Sequence, residues 1–582
     1  MEKKYYTNER NVQIVISLLK AHGIKRVIAS PGTTNMTFVG SIQQDPWFEI
    51  YSSVDERSAA YIACGMAAET GEPVVLSCTG ATASRNYMPG LTEAFYRKLP
   101  VLAITSHSGT DTIGNLDDQV IDRRSIPNDI AVESVTIPYV RSSRDERFCT
   151  IEANKAILAL SLNGGGPAHI NLFTEYSKDF SVKTLPGVRV IKRYQPYEAL
   201  PELPKVSKLG VFIGSHKNFT DTEVQALDQF CESNNAVVFC DHTSGYRGKY
   251  GVLSHLICSQ RNYASELMTV DLLIHVGEVS ASYKVKAGRV WRVSPDGALR
   301  DAFGSLEAVF MMPECEFFKH YTKNTEKNTA YYEACVKEYK HLISIIDDFP
   351  FGNIWIAKNT IEKIPVGAEL HMGIFNSYRS WNFFELPEQV YGKCNVGGFG
   401  IDGGMSSLVG ASLANPEKLF FGVFGDLAFF YDMNVLGNRH VGNNVRIILI
   451  NNARGGEFRL PGHPCSYFGN DADPYLAAAG HYGNQSRSLV KGYAEALGYE
   501  YLSAHDKESY LSVVDRFVTP QVTEAPMVLE VFIDIDDECH ALEIMQSLQF
   551  DAKKYVKNKI VSTINKVGGR GAVETIKKLT GK

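Results

Sequence analysis

The sequence predicts an α/β protein of three α/β domains with mainly parallel sheets. Short apolar, β-branched runs alternate with amphipathic stretches along the whole chain, which is how strands and covering helices of layered parallel sheets read. The runs end in Ser, Pro, Gly or Thr, residues that stop a strand and start a loop. A length of 582 residues exceeds what one hydrophobic core fills.

The first block, residues 1–182, holds strands at Val27-Ile28-Ala29, Ile50-Tyr51-Ser52, Val74-Val75-Leu76, Val101 to Thr105 and Ala168 to Leu172, with a helix from Ser58 to Glu69. From about 183 to 207 the chain turns Pro- and Lys-rich without sustained periodicity, so a boundary is placed there. The second block, 183–345, alternates strands at Leu209 to Ile213, Ala236 to Cys240 and Leu272 to Val276 with helical stretches, a Rossmann-like pattern. No G-x-G-x-x-G follows any of these strands, so a dinucleotide site is poorly supported there. A charged helical stretch near 325–346 leads to the third block, 346–550, with strands at Leu419 to Phe424, Val445 to Ile450 and Met527 to Phe532. The basic tail, 551–582, reads as a solvated terminal helix, with a polyanion-binding tail as the alternative.

Composition excludes several function classes. With 44% hydrophobic and 21% charged residues the chain is not largely disordered. A net charge of −6 supplies no global positive field for nucleic acid or an anionic membrane. No apolar run approaches the roughly 20 residues of a spanning helix, and MEKKYYTNER lacks a signal-peptide core, so a soluble cytoplasmic protein is expected. The 11 cysteines are dispersed without C-x-x-C, which fits reduced, buried thiols.

The chemistry concentrates at strand ends. Gly425-Asp426 follows one third-block strand and Asn451-Asn452 follows the next. If those strands are parallel neighbours, about 4.8 Å apart, a carboxylate and an amide oxygen converge in the crevice where α/β proteins bind ligands. Such oxygens suit magnesium, or calcium or manganese, shared with a diphosphate. Either dipeptide alone is ordinarily a turn.

Together, with the acid of Val54-Asp55-Glu56-Arg57 at a helix start in the first block, the pair resembles the metal-diphosphate and pyrimidine motifs of thiamine diphosphate enzymes of the acetolactate synthase and pyruvate decarboxylase type. Ser30-Pro31-Gly32, Gly166 to Asn171, Gly400-Ile401-Asp402-Gly403 and Gly425-Asp426-Leu427 through Asn434 resemble the menaquinone-pathway 2-succinyl-5-enolpyruvyl-6-hydroxy-3-cyclohexene-1-carboxylate synthases within that group. The resemblance covers nearly the whole chain. It implies that the first block binds the pyrimidine, the third the diphosphate, and that the two halves come from different subunits of a homodimer or homotetramer.

It further implies roles. Glu56 would hydrogen-bond ring nitrogen N1′ of the cofactor and favour the tautomer that removes the thiazolium C2 proton. Ile401 would wedge under the bent cofactor, Gly400, Gly425 and Leu427 would border it, and Asp426, Asn452 and the Arg454 backbone carbonyl would bind the metal. Gln119 resembles an active-site glutamine. Lys284 falls where the middle block contributes a cation, the alternative being a solvated side chain, and Asn376 and Ser377 are placed to orient a carbonyl, the alternative being a strand-end turn. His107 is a minor candidate proton donor.

Three departures bear on substrate. Where the synthases carry arginines, this chain has Thr33-Thr34-Asn35 after its Ser-Pro-Gly, Val396 before its glycine stretch, and Trp381 five positions beyond Asn376. Bidentate guanidiniums clamp carboxylates, so their loss argues against a 2-oxoglutarate and isochorismate pair. The expectation is a 2-oxo acid donor such as pyruvate and an unidentified acceptor, neutral or sugar-like. Simple decarboxylation with a proton as acceptor stays open, as does a cofactor-binding protein without catalysis. A nucleotide-binding oxidoreductase rests on the middle block alone.

Overall fold

Strand runs that are apolar at every position, rather than at alternate ones, must be covered on both faces, and the computed structural model has that arrangement throughout. The structure describes residues 4–322, 327–481 and 486–550. The basic tail lies outside them. The chain forms two compact units, residues 1–200 with 296–311 and residues 201–295 with 312–582.

The first unit contains a six-stranded sheet in the order Glu49–Ser52, Arg26–Ala29, Val74–Thr79, Val101–His107, Ala168–Phe173, Glu133–Ile137. Every neighbouring pair is parallel. Alternate residues of one run go to opposite faces. Val75, Leu102, Ile104 and Ile170 pack with the helices Arg10–Ala21 and Ser143–Ala159. Leu76, Cys78, Val101 and Ala103 pack with Glu56–Thr70 and Met88–Tyr96. The stretch from 183 to 207, read as irregular, contains one short strand, Lys192–Tyr194, paired in parallel with Leu306–Phe310.

In the second unit the strands Gly251–Leu253, Ala236–Cys240, Leu209–Ile213, Thr269–Val276 and Lys286–Val293 lie side by side in that order, all parallel. A six-stranded sheet runs Tyr391–Lys393, Glu369–Met372, Phe420–Gly425, Val445–Asn451, Met527–Phe532, Glu500–Ala504, also all parallel. The α/β class and the parallel sheets are as expected. All 11 cysteines are free and none is exposed. Among the described residues, no helix is long and apolar enough to cross a membrane.

Candidate active site

In the six-stranded sheet of the second unit the chain leaves Glu369–Met372 toward the edge strand Tyr391–Lys393, then crosses back to build the other half from Phe420–Gly425. Connections diverge at such a switch point and leave a crevice at the carboxyl ends of the strands. Gly425 and Ile450 are register partners, so Asp426 and the Asn451-Asn452 pair leave the sheet side by side. A cavity of about 320 Å³ opens there, and Asn376, Ser377, Ile401, Gly425, Asp426, Leu427, Asn452 and Arg454 all line it.

Asp426 opens the helix Asp426–Asp432, with Gly425 as its extended N-cap. One carboxylate oxygen, Oδ1, accepts the backbone N–H of Leu427 at 2.8 Å. The other, Oδ2, is buried without a hydrogen-bond partner among the described residues. Burial pushes this carboxyl up to about 7, against partial relief from backbone N–H groups of Leu427, Arg454 and Ala453. An orphaned buried carboxylate oxygen is costly, and a cation beside it removes the cost and restores the ionised form. Asn452 Oδ1 accepts the Arg454 N–H at 3.3 Å. Ala453, between them, holds φ at 68°, a left-handed conformation that costs a residue with a Cβ about 1–2 kcal/mol.

No group of three His, Cys, Asp or Glu side chains gathers for a metal among the described residues. A cation at Asp426 would therefore draw its other ligands from amide and backbone oxygens, water and the oxygens of a bound ligand. That set suits Mg²⁺, Mn²⁺ or Ca²⁺.

Asn376 and Ser377 open a short helix, Asn376–Trp381, entered through Phe375 at φ 68°, so the turn reading does not hold. Asn376 Nδ2 donates to Glu538 Oε1, and burial pushes that glutamate up to about 7. Arg379, one turn on, makes a two-pronged ion pair with Glu457 at 2.9 Å on each prong. Sequence reasoning passed over Arg379, Glu457 and Glu538. The i, i+3 spacing of Asn376 and Arg379 was the one signal for Arg379. Lys284 lies exposed before the strand Lys286–Val293 and is not among the residues lining this cavity, and neither is the exposed Gly400.

The first unit repeats the switch-point arrangement between Arg26–Ala29 and Val74–Thr79. The loops that follow approach closely: a Cβ on Gly32 would lie 1.9 Å from Thr79 Cγ2. A cavity of about 400 Å³ here is lined by Thr33, Thr34, Gly80, His107, Asp118, Gln119 and Arg123 among others. The Thr34 hydroxyl donates to the Ser106 carbonyl at 2.6 Å, while Thr33 stays exposed. Gln119 is exposed at φ 58°. His107 is the last residue of its strand, two beyond the expected end.

Glu56 is the first residue of the helix Glu56–Thr70, two residues before the expected start. Asp55 sets that start by accepting the Ser58 N–H at 3.0 Å. Glu56 is half-buried, and its Oε2 accepts from Asn86 Nδ2 at 3.3 Å.

Comparison with known proteins adds to this geometry. Residues 10–126 match the family described as thiamine pyrophosphate enzyme, N-terminal TPP binding domain. The 2-succinyl-5-enolpyruvyl-6-hydroxy-3-cyclohexene-1-carboxylate synthase of Phocaeicola vulgatus is 30% identical over 550 residues, covering 91% of this chain and 96% of the relative. The synthase of the same name from Bacteroides fragilis is 29% identical over 567 residues, covering 92% and 98%. A solved structure, the Rhodococcus jostii RHA1 thiamine diphosphate-dependent 4-hydroxybenzoylformate decarboxylase, aligns over 90% of this chain and 99% of its own at 18% identity, with a TM-score of 0.39 that is too low to bear on fold or function.

Proposed function

The chain belongs to the thiamine diphosphate-dependent enzymes of carbon–carbon bond chemistry, as a relative of the 2-succinyl-5-enolpyruvyl-6-hydroxy-3-cyclohexene-1-carboxylate synthases, and on that premise we propose that it decarboxylates a small 2-oxo acid and passes the acyl anion equivalent to an acceptor carbonyl or alkene. The observation that carries this reading is the pairing of Asp426, with its unpartnered Oδ2, and Asn452 at adjacent strand ends. These oxygens would hold a hard cation, and we assign Mg²⁺ to Asp426, Asn452 and the Arg454 backbone carbonyl, where it would neutralise the charge of a bound diphosphate. When bound, thiamine diphosphate would supply a carbon acid whose conjugate base adds to a 2-oxo carbon and an electron sink for the pair that stays behind when carbon dioxide leaves.

The chain's own groups do the rest. Glu56, oriented by its place in the first helical turn and by Asn86, holds a proton at the pyrimidine ring nitrogen and so acts as the acid–base group of the reaction. Ile401 and Leu427 give the cavity apolar walls that keep bulk water from the reacting centre. Asn376, its amide fixed by Glu538, and Ser377 orient the substrate carbonyl. Glu56 and Asp426 act on opposite halves of one cofactor, and the resemblance divides those halves between subunits. The proposal therefore includes a homodimer or homotetramer.

The donor and acceptor differ from those of the synthases. Trp381 is fully buried, its Nε1 donating to Asn353 Oδ1 at 3.1 Å. Val396 is buried, and the Thr34 hydroxyl is engaged by Ser106. None of the three positions presents a cation.

The test is product analysis of the full chain loaded with thiamine diphosphate and Mg²⁺, using a panel of 2-oxo acids with and without acceptor aldehydes and keto-sugars. A ketol that forms only when the acceptor is present is expected. An aldehyde as sole product in every arm overturns acyl transfer, and no consumption of any 2-oxo acid overturns the reaction. Asp426→Ala is expected to lose Mg²⁺-dependent cofactor binding; undiminished affinity would sink the metal assignment.

A further inference from the structure

The first-unit cavity contains a buried cation that forms no ion pair among the described residues. Arg123 lies in the long loop after the strand Val101–His107 and is 6% exposed. Its Nη1 donates to Thr105 Oγ1 at 2.6 Å. Thr105 hydrogen-bonds His169 Nε2 at 2.7 Å, and His169 Nδ1 hydrogen-bonds Ser134 Oγ at 2.9 Å. Burial, with the nearby Arg123 charge, holds His169 down at about 3, and burial pushes the neighbouring Cys78 thiol up to about 12. Each group in this chain of contacts is therefore neutral near pH 7. Among the described residues Arg123 forms no ion pair, and its Nη2 is buried without a hydrogen-bond partner.

A second unpartnered donor stands beside it. The backbone N–H of Gly109 donates to His107 Nδ1 at 3.3 Å, which leaves the ring proton on Nε2. That Nε2 is also buried and unpartnered, and the ring is held edge-on to Phe173, 4.7 Å between centroids. Gly80, which lines the cavity, separates the two: a Cβ there would lie 2.8 Å from Arg123 Nη2 and 2.7 Å from His107 Cβ. The Ser106 carbonyl oxygen is 2.8 Å from the same point, so only a residue without a side chain lets the backbone pass this close to both groups.

Uncompensated buried charge is costly, and buried cations are ordinarily paired. We infer that Arg123, with His107 Nε2–H, is the anchor for a carboxylate of the substrate that survives the reaction. A carboxylate is favoured over a phosphate because Asp117 and Asp118 line the same cavity and repel a dianion more strongly. The surviving carboxylate is favoured over the one lost as carbon dioxide because an ion pair to the departing group stabilises the ground state more than the transition state. Arg123 thus supplies, from another place, the cation missing at Thr34, Val396 and Trp381, and it replaces the expectation of a neutral acceptor. The inference rests on the proposed 2-oxo acid chemistry for its substrate and on the cavity alone for its anion.

Ligand-observed NMR on the full chain with succinamate, succinamide and inorganic phosphate tests it. Wild type is expected to bind succinamate at least tenfold more tightly than succinamide, which differs only in the carboxylate. Arg123→Gln is expected to abolish the difference and Arg123→Lys to retain part of it, with thiamine diphosphate affinity unchanged in both. Equal binding of succinamate and succinamide by wild type, or wild-type preference persisting in Arg123→Gln, overturns the inference. Tighter binding of phosphate than of succinamate overturns the carboxylate class. The wild-type comparison stands even if Arg123→Gln does not fold. Failure of the chain to bind thiamine diphosphate while it selects succinamate removes the proposed reaction and leaves the anion site.

Discussion

The carboxylate of Glu56 is worth little to the fold and much to the proposed chemistry. At a helix start it contributes only about 0.3–1 kcal/mol through the helix dipole, and a glutamine oxygen can accept the same hydrogen bond from Asn86. Glu56→Gln is therefore expected to keep the wild-type unfolding temperature and cofactor affinity while losing about 100- to 10,000-fold in turnover, the usual worth of a positioned acid–base group. Near-normal turnover would return Glu56 to an ordinary helix-start acid. The buried histidines make the opposite trade. Burial, reinforced by the Arg123 charge, holds His169 at about 3 and His107 at about 4, and burial holds His242 at about 3. The unfolded chain protonates these rings near 6.5, so their contribution to stability is present above that value and is lost as pH falls from 6.5 toward 3. Thermal unfolding at stepped pH should show a midpoint that drops on acidification, and His169→Gln should flatten the drop. A slope unchanged in the variant would mean that His169 is not kept neutral by the fold.

At the scale of strands and loops, the features written as local pattern were legible and those made by distant residues were not. The β-branched runs marked eight of the twelve strands of the two six-stranded sheets, because a strand covered on both faces is apolar at each position, and missed Glu133–Ile137, Glu369–Met372, Tyr391–Lys393 and Glu500–Ala504. The Gly-Asp and Asn-Asn pairs marked the carboxyl ends of two strands that proved to be register neighbours. Helix starts were less legible: Asp55 caps two residues earlier than the apolar pattern of Ser58 to Glu69 suggested, since a cap depends on one side chain and not on periodicity. Arg123 and Glu457 carried no signal. Arg123 matters because the fold brings it back to Thr105, 18 residues earlier, and to Gly80 without an ion-pair partner among the described residues, and no spacing rule encodes that. Gly32 shows how tightly the switch point is built. A methyl on it would overlap Thr79 Cγ2 at 1.9 Å, so Gly32→Ala is expected to destabilise by about 1–3 kcal/mol through overpacking. Combining it with Thr79→Ser, which deletes the clashing methyl, should recover much of the loss. A strictly additive double-mutant cycle in chemical denaturation would rule out the contact as the cause.

At the scale of the whole molecule, substrate choice depends on where the fold puts its cations. The resemblance to the synthases implies arginines at three positions, and here those positions hold Thr34, Val396 and Trp381. The replacements are built into the structure: Trp381 fills a buried space and donates to Asn353, and Val396 packs inside. Restoring a guanidinium at Trp381 would bury an unpaired charge, so the loss is not reversed by a small local shift. Two arginines elsewhere in the chain are differently disposed. Arg379 is committed to Glu457 by two hydrogen bonds, and Arg123 stands in the first unit against neutral groups. Arg123 can hold one carboxylate, whereas 2-oxoglutarate and isochorismate together bring three carboxylates that survive decarboxylation. Each missing charge-assisted bidentate contact costs roughly 1.5–3 kcal/mol per hydrogen bond, or about 10- to 150-fold in binding. The full chain with thiamine diphosphate and Mg²⁺ is thus expected to give no detectable 2-succinyl-5-enolpyruvyl-6-hydroxy-3-cyclohexene-1-carboxylate from that pair, under conditions where it consumes its own 2-oxo acid. Formation of that product at a rate comparable to the consumption of any other donor would show that the three arginines are dispensable, and with it that their replacement did not redirect this chain to a different substrate.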